Sequence, residues 1–99
     1  MKKVLLACTA GMSTSILLKK VEDAAYDSDY KIDIKATSVD EAKIIGENYD
    51  LILLGPQVSY EKEALKKILT IPVLVINAET YSIGSGEKII NLIINTIGK

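Results

Sequence analysis

The sequence predicts an α/β protein built on a four-stranded parallel sheet of strand order 2-1-3-4, with helices on both faces. The first observation is that apolar runs of strand length alternate with segments of helical periodicity, in the order β-α-β-α-β-α-β-α. The second is that two strand segments are continuously apolar, as strands buried on both faces of a parallel sheet are. The third is that residues 30–36 alternate apolar and polar side chains, which places that strand at an edge.

The first half of the chain supplies two strands and two helices of this pattern. Residues 3–8 form an almost continuous apolar run and predict a buried strand. Residues 14–26 predict a helix, because apolar side chains recur at helical spacing opposite charged ones; the candidates for its N-cap are Ser13 and Thr14. After the edge strand, the capping box Ser38-Val39-Asp40-Glu41 opens a second helix that runs to about Ile45.

The second half predicts, in order, a buried strand, a helix capped by Ser59, a strand opened by Pro72, a loop and a final helix. These elements span residues 50–54, 60–69, 73–76, 77–85 and 86–97. The whole arrangement is flavodoxin-like, and in such sheets the functional site lies beyond the carboxyl ends of the strands. The segments expected at that rim are Cys8 with its following loop, Thr37-Ser38, Gly55-Pro56-Gln57 and the loop that begins at Asn77.

Composition excludes several classes of function. The chain of 99 residues has a net charge of −1, which offers no bulk electrostatic attraction to nucleic acid. Its basic residues are all lysine, it contains no histidine, and it holds one cysteine, so we expect no metal site, no internal disulfide and no cofactor. No apolar run approaches the length of a membrane span, and the N-terminal run is too short for a signal peptide. We therefore expect a single domain over residues 1–99 that resides in the cytoplasm.

Cys8 and the loop after it are the strongest candidates for chemistry. The thiol ends a buried strand, and a loop of mostly small residues lets the backbone approach a tetrahedral anion; this loop is Thr9-Ala10-Gly11-Met12-Ser13-Thr14-Ser15. A helix begins next, and its N-terminus favours a bound anion. These features predict that Cys8 itself receives a phosphoryl group. The alternative is a small core side chain without a chemical role, since free cysteines are commonly buried.

Three other functions lack the residues that they need. A cysteine protease needs a histidine base, disulfide exchange usually uses two cysteines, and ATP binding would use a Walker loop; the chain has no histidine, one cysteine and no Walker loop. The closest enzyme template is the low-molecular-weight protein tyrosine phosphatase, with the signature C-x5-R-[ST]. The spacing is kept here, but Thr14 replaces the arginine before Ser15, and Asn77 ends the strand after which the phosphatase carries its acid. The residues favour a phosphocysteine that hydrolyses slowly, and they leave open a small cysteine-dependent phosphatase-like enzyme.

The sequence resembles the IIB component of the lactose/cellobiose (N,N′-diacetylchitobiose) family of the bacterial phosphoenolpyruvate-dependent sugar phosphotransferase system (PTS). The resemblance rests on the segment from Cys8 to Ser15 after an apolar strand, and on the segment from Leu53 to Tyr60, which contains Gly-Pro-Gln. It implies a fold like that of the low-molecular-weight tyrosine phosphatase. It also implies a phosphoryl carrier that takes its phosphate from a phosphohistidine on the IIA component. The phosphate then passes to a sugar imported by the membrane component IIC, with which the protein would associate peripherally.

The resemblance assigns roles to the loop residues. Cys8 is implied as the phosphocysteine intermediate. The implied phosphate cradle is formed by backbone amides, with the hydroxyls of the last three residues available; its members are Thr9, Ala10, Gly11, Met12, Ser13, Thr14 and Ser15. Gly55, Pro56 and Gln57 are either a rim of this site or only a turn after the third strand. Partial burial is the expectation for Tyr60 and Tyr81, although exposed contact aromatics are the alternative.

Overall fold

The structure, a computed structural model, describes residues 1–8 and 13–98, and for residues 13–15 it describes the backbone alone. The described residues form a four-stranded sheet of order β2-β1-β3-β4, in which every neighbouring pair is parallel. The strands are β1 (Lys2–Ala7), β2 (Ile32–Thr37), β3 (Leu51–Leu54) and β4 (Val73–Val75). The predicted fold class, strand order and edge position of the alternating strand are confirmed.

The helices of the described residues follow the strands as the sequence pattern indicates. They are α1 (Ser13–Asp27), α2 (Val39–Ile45), α3 (Lys62–Ile68), α4 (Ala78–Ile83) and α5 (Gly86–Ile97), with short 3-10 helices at Gly46–Asn48 and Pro56–Glu61. The predicted cap of α2 is confirmed, because the Ser38 hydroxyl accepts a hydrogen bond from the Glu41 amide at 3.2 Å. None of the described helices is long and apolar enough to cross a membrane.

Two hydrophobic clusters lie on opposite faces of the sheet and hold the helices against it. Side chains alternate along β1, so Val4 and Leu6 join one cluster and Leu5 and Ala7 join the other. The first cluster packs against α1 and α5, and the second against α2 and α3. Each fully buried leucine or isoleucine contributes about 1.5–3 kcal/mol by leaving water. Burial on both faces explains why β1 and β3 are continuously apolar.

The predicted loop over residues 77–85 is wrong, because it contains helix α4. The Asn77 side chain starts this helix by accepting a hydrogen bond from the Thr80 amide at 2.7 Å. Gly84 ends it in the left-handed conformation, at φ 70°, and its amide bonds back to the Thr80 carbonyl. A cap at each end lets a helix of only six residues form.

The predicted helix over residues 60–69, capped by Ser59, is also wrong at its start. The chain enters through the 3-10 helix Pro56–Glu61, and α3 begins at Lys62 with Glu61 in the N-cap position. Ser59 therefore lies inside the 3-10 segment, where its carbonyl accepts a hydrogen bond from the Lys62 amide. Proline at the first position of a helical turn favours this early start, because its φ is already helical.

Helices α1 and α5 pack so closely that one contact requires glycine. A Cβ on Gly86 would overlap the backbone carbonyl of Lys20 and would lie 3.1 Å from the amide nitrogen of Val21. Both neighbours are backbone atoms of α1 and cannot rotate away. Gly86 thus sets the distance between the two helices that cover the first cluster.

We expect Gly86→Ala to lower the free energy of unfolding by about 1–3 kcal/mol, because the helices must separate to admit the methyl group. Urea unfolding followed by circular dichroism measures this change. Asn91→Ala, at an exposed position of the same helix, is the matched control and should stay within about 0.5 kcal/mol of wild type. Equal stability of Gly86→Ala and wild type would contradict the close packing of α1 and α5.

Candidate functional site

The carboxyl ends of the strands form one aligned row. Ala7, the last residue of β1, pairs with Thr37 on one side and with Leu54 on the other, and Leu54 pairs with Val75. The register continues one step beyond the strands: the Cys8 amide donates to the Thr37 carbonyl at 3.2 Å and the Gly55 amide to the Ala7 carbonyl at 3.0 Å. The segments that the sequence places at this rim therefore begin from fixed backbone positions.

Cys8 is the first residue after β1 rather than the last residue of the strand. Its side chain is only 3% exposed, so the thiol lies under neighbouring groups rather than projecting into solvent. This burial agrees with either sequence-based interpretation, a core side chain or a shielded nucleophile. The groups around the sulfur distinguish the two.

Gly55 lies against Cys8 because it has no side chain. A Cβ at this position would be 2.9 Å from the Cys8 Cβ and 2.9 Å from the Gln57 Oε1, and 3.5 Å from the Tyr81 Cε2. Gly55 is thus the point at which the Cys8 side chain, the Gln57 carboxamide and the Tyr81 ring converge. Pro56 is half-buried and Gln57 is exposed, so this turn runs from the buried sulfur to the surface.

The Tyr81 hydroxyl is a hydrogen-bond donor to the thiol. Its oxygen lies 3.9 Å from the Cys8 Sγ, and the side chain is partly buried, as expected. Sequence reasoning missed this contact because it treated residues 77–85 as a loop. The available signal was the spacing of Asn77 and Gly84, which are typical N-cap and C′ residues of a short helix.

The other candidate residues belong to the loop from Thr9 to Ser15. Thr9, Ala10, Gly11 and Met12 lie outside the described residues, and Ser13, Thr14 and Ser15 form the backbone of the first turn of α1. The N-cap expected at Ser13 or Thr14 is not seen, since both residues already lie within the helix.

Two further polar side chains considered in the sequence analysis are those of Asn77 and Tyr60. Asn77 is occupied as the cap of α4. Tyr60 is 76% exposed, so its expected partial burial is wrong. Among the described residues, no group of three or more histidine, cysteine, aspartate or glutamate side chains converges as a metal site would require.

Two surface grooves lie at the amino ends of the strands, away from the carboxyl rim. One, of about 590 Å³, is lined by residues around Tyr26 and Tyr30, and its neighbour, of about 660 Å³, includes Asp50. The pKa of Tyr30 is raised there, first by burial and then by the Asp50 carboxylate. These grooves are open and contain no cysteine among their lining residues, so the carboxyl rim remains the candidate site.

Comparison with known proteins identifies the family. Residues 3–92 match the family described as the PTS system, Lactose/Cellobiose specific IIB subunit. The chain belongs to this PTS IIB family. It is therefore a phosphotransferase component of the lactose/cellobiose type, and the resemblance noted from the Cys8 and Gly-Pro-Gln segments is confirmed.

Curated relatives cover most of the chain. The oligo-β-mannoside-specific EIIB component of Bacillus subtilis is 40% identical over 91 residues, which are 89% of this chain and 88% of that protein. The cellobiose-specific EIIB component of Lactococcus lactis is 40% identical over 97 residues, covering 90% of each chain. The galactose-specific EIIB component of the same species is 39% identical over 97 residues, again covering 90% of each.

Solved structures share the fold over the same length. The lactose-specific IIB component domain of Streptococcus pneumoniae superposes with a TM-score of 0.84 at 20% identity, covering 96% of both chains. The cellobiose-specific IIB component of Borrelia burgdorferi gives a TM-score of 0.80 at 33% identity, covering 97% of this chain and 91% of that one. The sheet and its helices are therefore those of PTS IIB domains.

We expect Gly55→Ala to disturb the thiol site more than its small volume suggests. The methyl group must push back the Cys8 Cβ and the Gln57 carboxamide, which lowers the free energy of unfolding by about 1–3 kcal/mol. The Cys8 side chain should also shift, which a change in the Cβ chemical shift of that residue would report. Ser59→Ala, an exposed residue in the neighbouring 3-10 helix, is the control. Unchanged stability together with an unchanged Cys8 resonance would contradict the described convergence on Gly55.

Proposed function

We propose that this IIB protein is a phosphoryl carrier whose Cys8 accepts a phosphoryl group from a phosphohistidine of the IIA component. The group then passes from the sulfur to a sugar that the membrane component IIC imports. The single observation that carries the proposal is the position of Cys8. This thiol, the only one in the chain, follows β1 at the carboxyl rim of the sheet, against Gly55 and in contact with the Tyr81 hydroxyl.

The proposed phosphate cradle is the segment from Thr9 to Ser15. It connects Cys8 to the start of α1, a helix of 15 residues whose N-terminal amides and dipole favour an anion. Small residues at most of its positions leave room for the backbone to surround a phosphoryl group. The described first turn of α1 supports this role by placing the backbone of Ser13, Thr14 and Ser15 in the turn that would present these amides.

A carrier must hold its phosphate without delivering it to water, and the composition supports this property. The chain contains no arginine, so the guanidinium that clamps phosphoryl oxygens in the phosphatase is absent. Asn77 is not an acid, and its carboxamide oxygen is already bonded to the Thr80 amide. Without a clamp and a general acid, attack of water on a phosphocysteine gains little transition-state stabilisation.

The proposed sugar is of the lactose, cellobiose or chitobiose type, and its recognition is assigned to IIC. Three relatives that are named for three different sugars are each 39–40% identical to this chain, so the level of sequence identity does not indicate the sugar. In this proposal the protein acts as one domain over residues 1–99. It works in the cytoplasm and reaches the membrane through IIC.

We expect the wild-type protein to gain one phosphate from phosphorylated IIA and to retain it while an acceptor is withheld. Cys8→Ser should fold but accept no phosphate, because no histidine base is present to activate a serine hydroxyl. Radiolabelled phosphoenolpyruvate with the general PTS proteins and a cognate IIA measures both. Phosphorylation of Cys8→Ser at the wild-type rate would overturn the proposal.

The competing function is a small cysteine-dependent phosphatase. The loop after Cys8 allows this function because it keeps the spacing of the phosphatase signature. Hydrolysis of p-nitrophenyl phosphate separates the two. We expect wild type and Cys8→Ser to show the same low background rate, because Thr14 stands where the phosphatase has its arginine. Rapid turnover by wild type that is lost in Cys8→Ser would favour the phosphatase.

A further inference from the structure

The contact between Tyr81 and Cys8 joins the sulfur to a side chain from the far end of the chain. The hydroxyl oxygen lies 3.9 Å from the Sγ, within the longer range of hydrogen bonds to sulfur, and the residues are 73 positions apart. Because Cys8 is buried, the hydroxyl acts on the sulfur from within the protein. The question is which state of the sulfur this donor favours.

The position of the Tyr81 hydroxyl is set by the helix that carries it. Asn77 caps α4 through its side chain, and its carbonyl accepts a hydrogen bond from the Tyr81 amide at 3.0 Å. The Tyr81 side chain packs against the first hydrophobic cluster. On its other side, the ring is close enough to Gly55 that a Cβ there would lie 3.5 Å from the Tyr81 Cε2. A donor held by a capped helix and by packing on both sides is preorganised toward the sulfur.

The sulfur changes charge during phosphoryl transfer. When Cys8 accepts the group, the thiol first gives up its proton and a lone pair of the resulting thiolate forms the sulfur–phosphorus bond. The phosphorus–nitrogen bond of the donor breaks with its electron pair returning to the imidazole, which takes up one proton. In the reverse step the sulfur–phosphorus bond breaks, its electron pair stays on the sulfur, and the nitrogen–phosphorus bond forms again. A hydrogen bond to a charged acceptor is about twice as strong as one to a neutral acceptor, so a donor at the sulfur favours the thiolate over the phosphocysteine.

We propose that Tyr81 is a catalytic residue whose hydroxyl donates to the Cys8 sulfur and stabilises it as the leaving group when the phosphoryl group departs. The hydroxyl keeps its proton throughout, and the proton lost by the thiol is balanced by the one that the donor imidazole takes up. The consequence is a carrier with a lowered preference for the phosphorylated state, which gives up its phosphate more readily. This inference rests on the proposed phosphoryl-carrier function.

The test is the equilibrium of phosphoryl exchange between IIA and this protein, measured in both directions by rapid quench. Tyr81→Phe removes the hydroxyl oxygen and retains the ring. We expect this variant to shift the equilibrium toward phosphocysteine by about threefold to tenfold, chiefly by slowing transfer off the sulfur. Tyr26→Phe removes a hydroxyl from an exposed tyrosine in the groove where the strands begin, away from the thiol, and is the matched control, which should leave both rates unchanged.

Thermal unfolding of the same variants separates a chemical role from a structural one. A Tyr81→Phe protein that is less stable but has the wild-type equilibrium would overturn the proposal, since a purely structural hydroxyl predicts that result. A shift toward the unphosphorylated form would also overturn it, because the hydroxyl would then favour the phosphoryl oxygens over the thiolate.

A second reaction keeps the test independent of the proposed function. Alkylation of Cys8 by iodoacetamide at a fixed pH also requires the charged sulfur, so Tyr81→Phe should react about threefold more slowly than wild type. If wild type accepts no phosphate from IIA, the carrier function fails, and the alkylation rates alone decide the hydroxyl–sulfur interaction. Equal alkylation rates of wild type and Tyr81→Phe would overturn that interaction.

Discussion

The hydrogen bonding of β1 on both of its edges is the constraint on which the site depends. Because β1 lies between β2 and β3, the backbone around Ala7 is bonded to Thr37 on one side and to Gly55 on the other. Both faces of the strand are buried in the two hydrophobic clusters. Cys8 therefore follows a strand that is hydrogen-bonded on both edges and buried on both faces, and this strand fixes the position of its backbone. A reactive group gains most from such a position, since small displacements from the productive geometry lower rates strongly.

The proposed chemistry depends as much on absent residues as on those that are present. A phosphatase accelerates release of phosphate to water with an arginine clamp and an acid, which act on the transition state. This chain has neither arginine nor histidine, and in the described part of the chain its one cysteine lies against Gly55 and within hydrogen-bond distance of the Tyr81 hydroxyl. A thiol in these surroundings can exchange a phosphoryl group with a partner that supplies its own catalytic groups. The same sheet can therefore serve a hydrolase or a carrier, with the difference located in a few side chains at one rim.

Much of the fold is predictable from the sequence, and the reasons are local. Continuous apolar runs at β1 and β3 and the alternation at β2 fit the strand order of a flavodoxin-like sheet, because buried and edge strands differ in pattern. Helix α4 is harder to predict, since its six residues show no helical periodicity and its existence depends on caps at Asn77 and Gly84. The start of α3 is misjudged because Ser59 resembles an N-cap, whereas Pro56 begins the helical turn earlier.

The candidate site is predictable in part for the same reasons. Cys8 and Gly55 are found because they follow strands directly, and parallel strands bring their carboxyl ends together. The contact of Tyr81 with the sulfur is long-range and requires α4 to be placed in three dimensions.

The account is tested most directly by locating the phosphate on the wild-type protein. Intact mass spectrometry after incubation with phosphoenolpyruvate, the general PTS proteins and a cognate IIA should show one added phosphoryl group, and peptide mapping under conditions that preserve thiophosphates should place it on Cys8. The addition should be absent when IIA is omitted. A protein that stays unmodified with active IIA, or that carries the group on any other residue, would contradict the account.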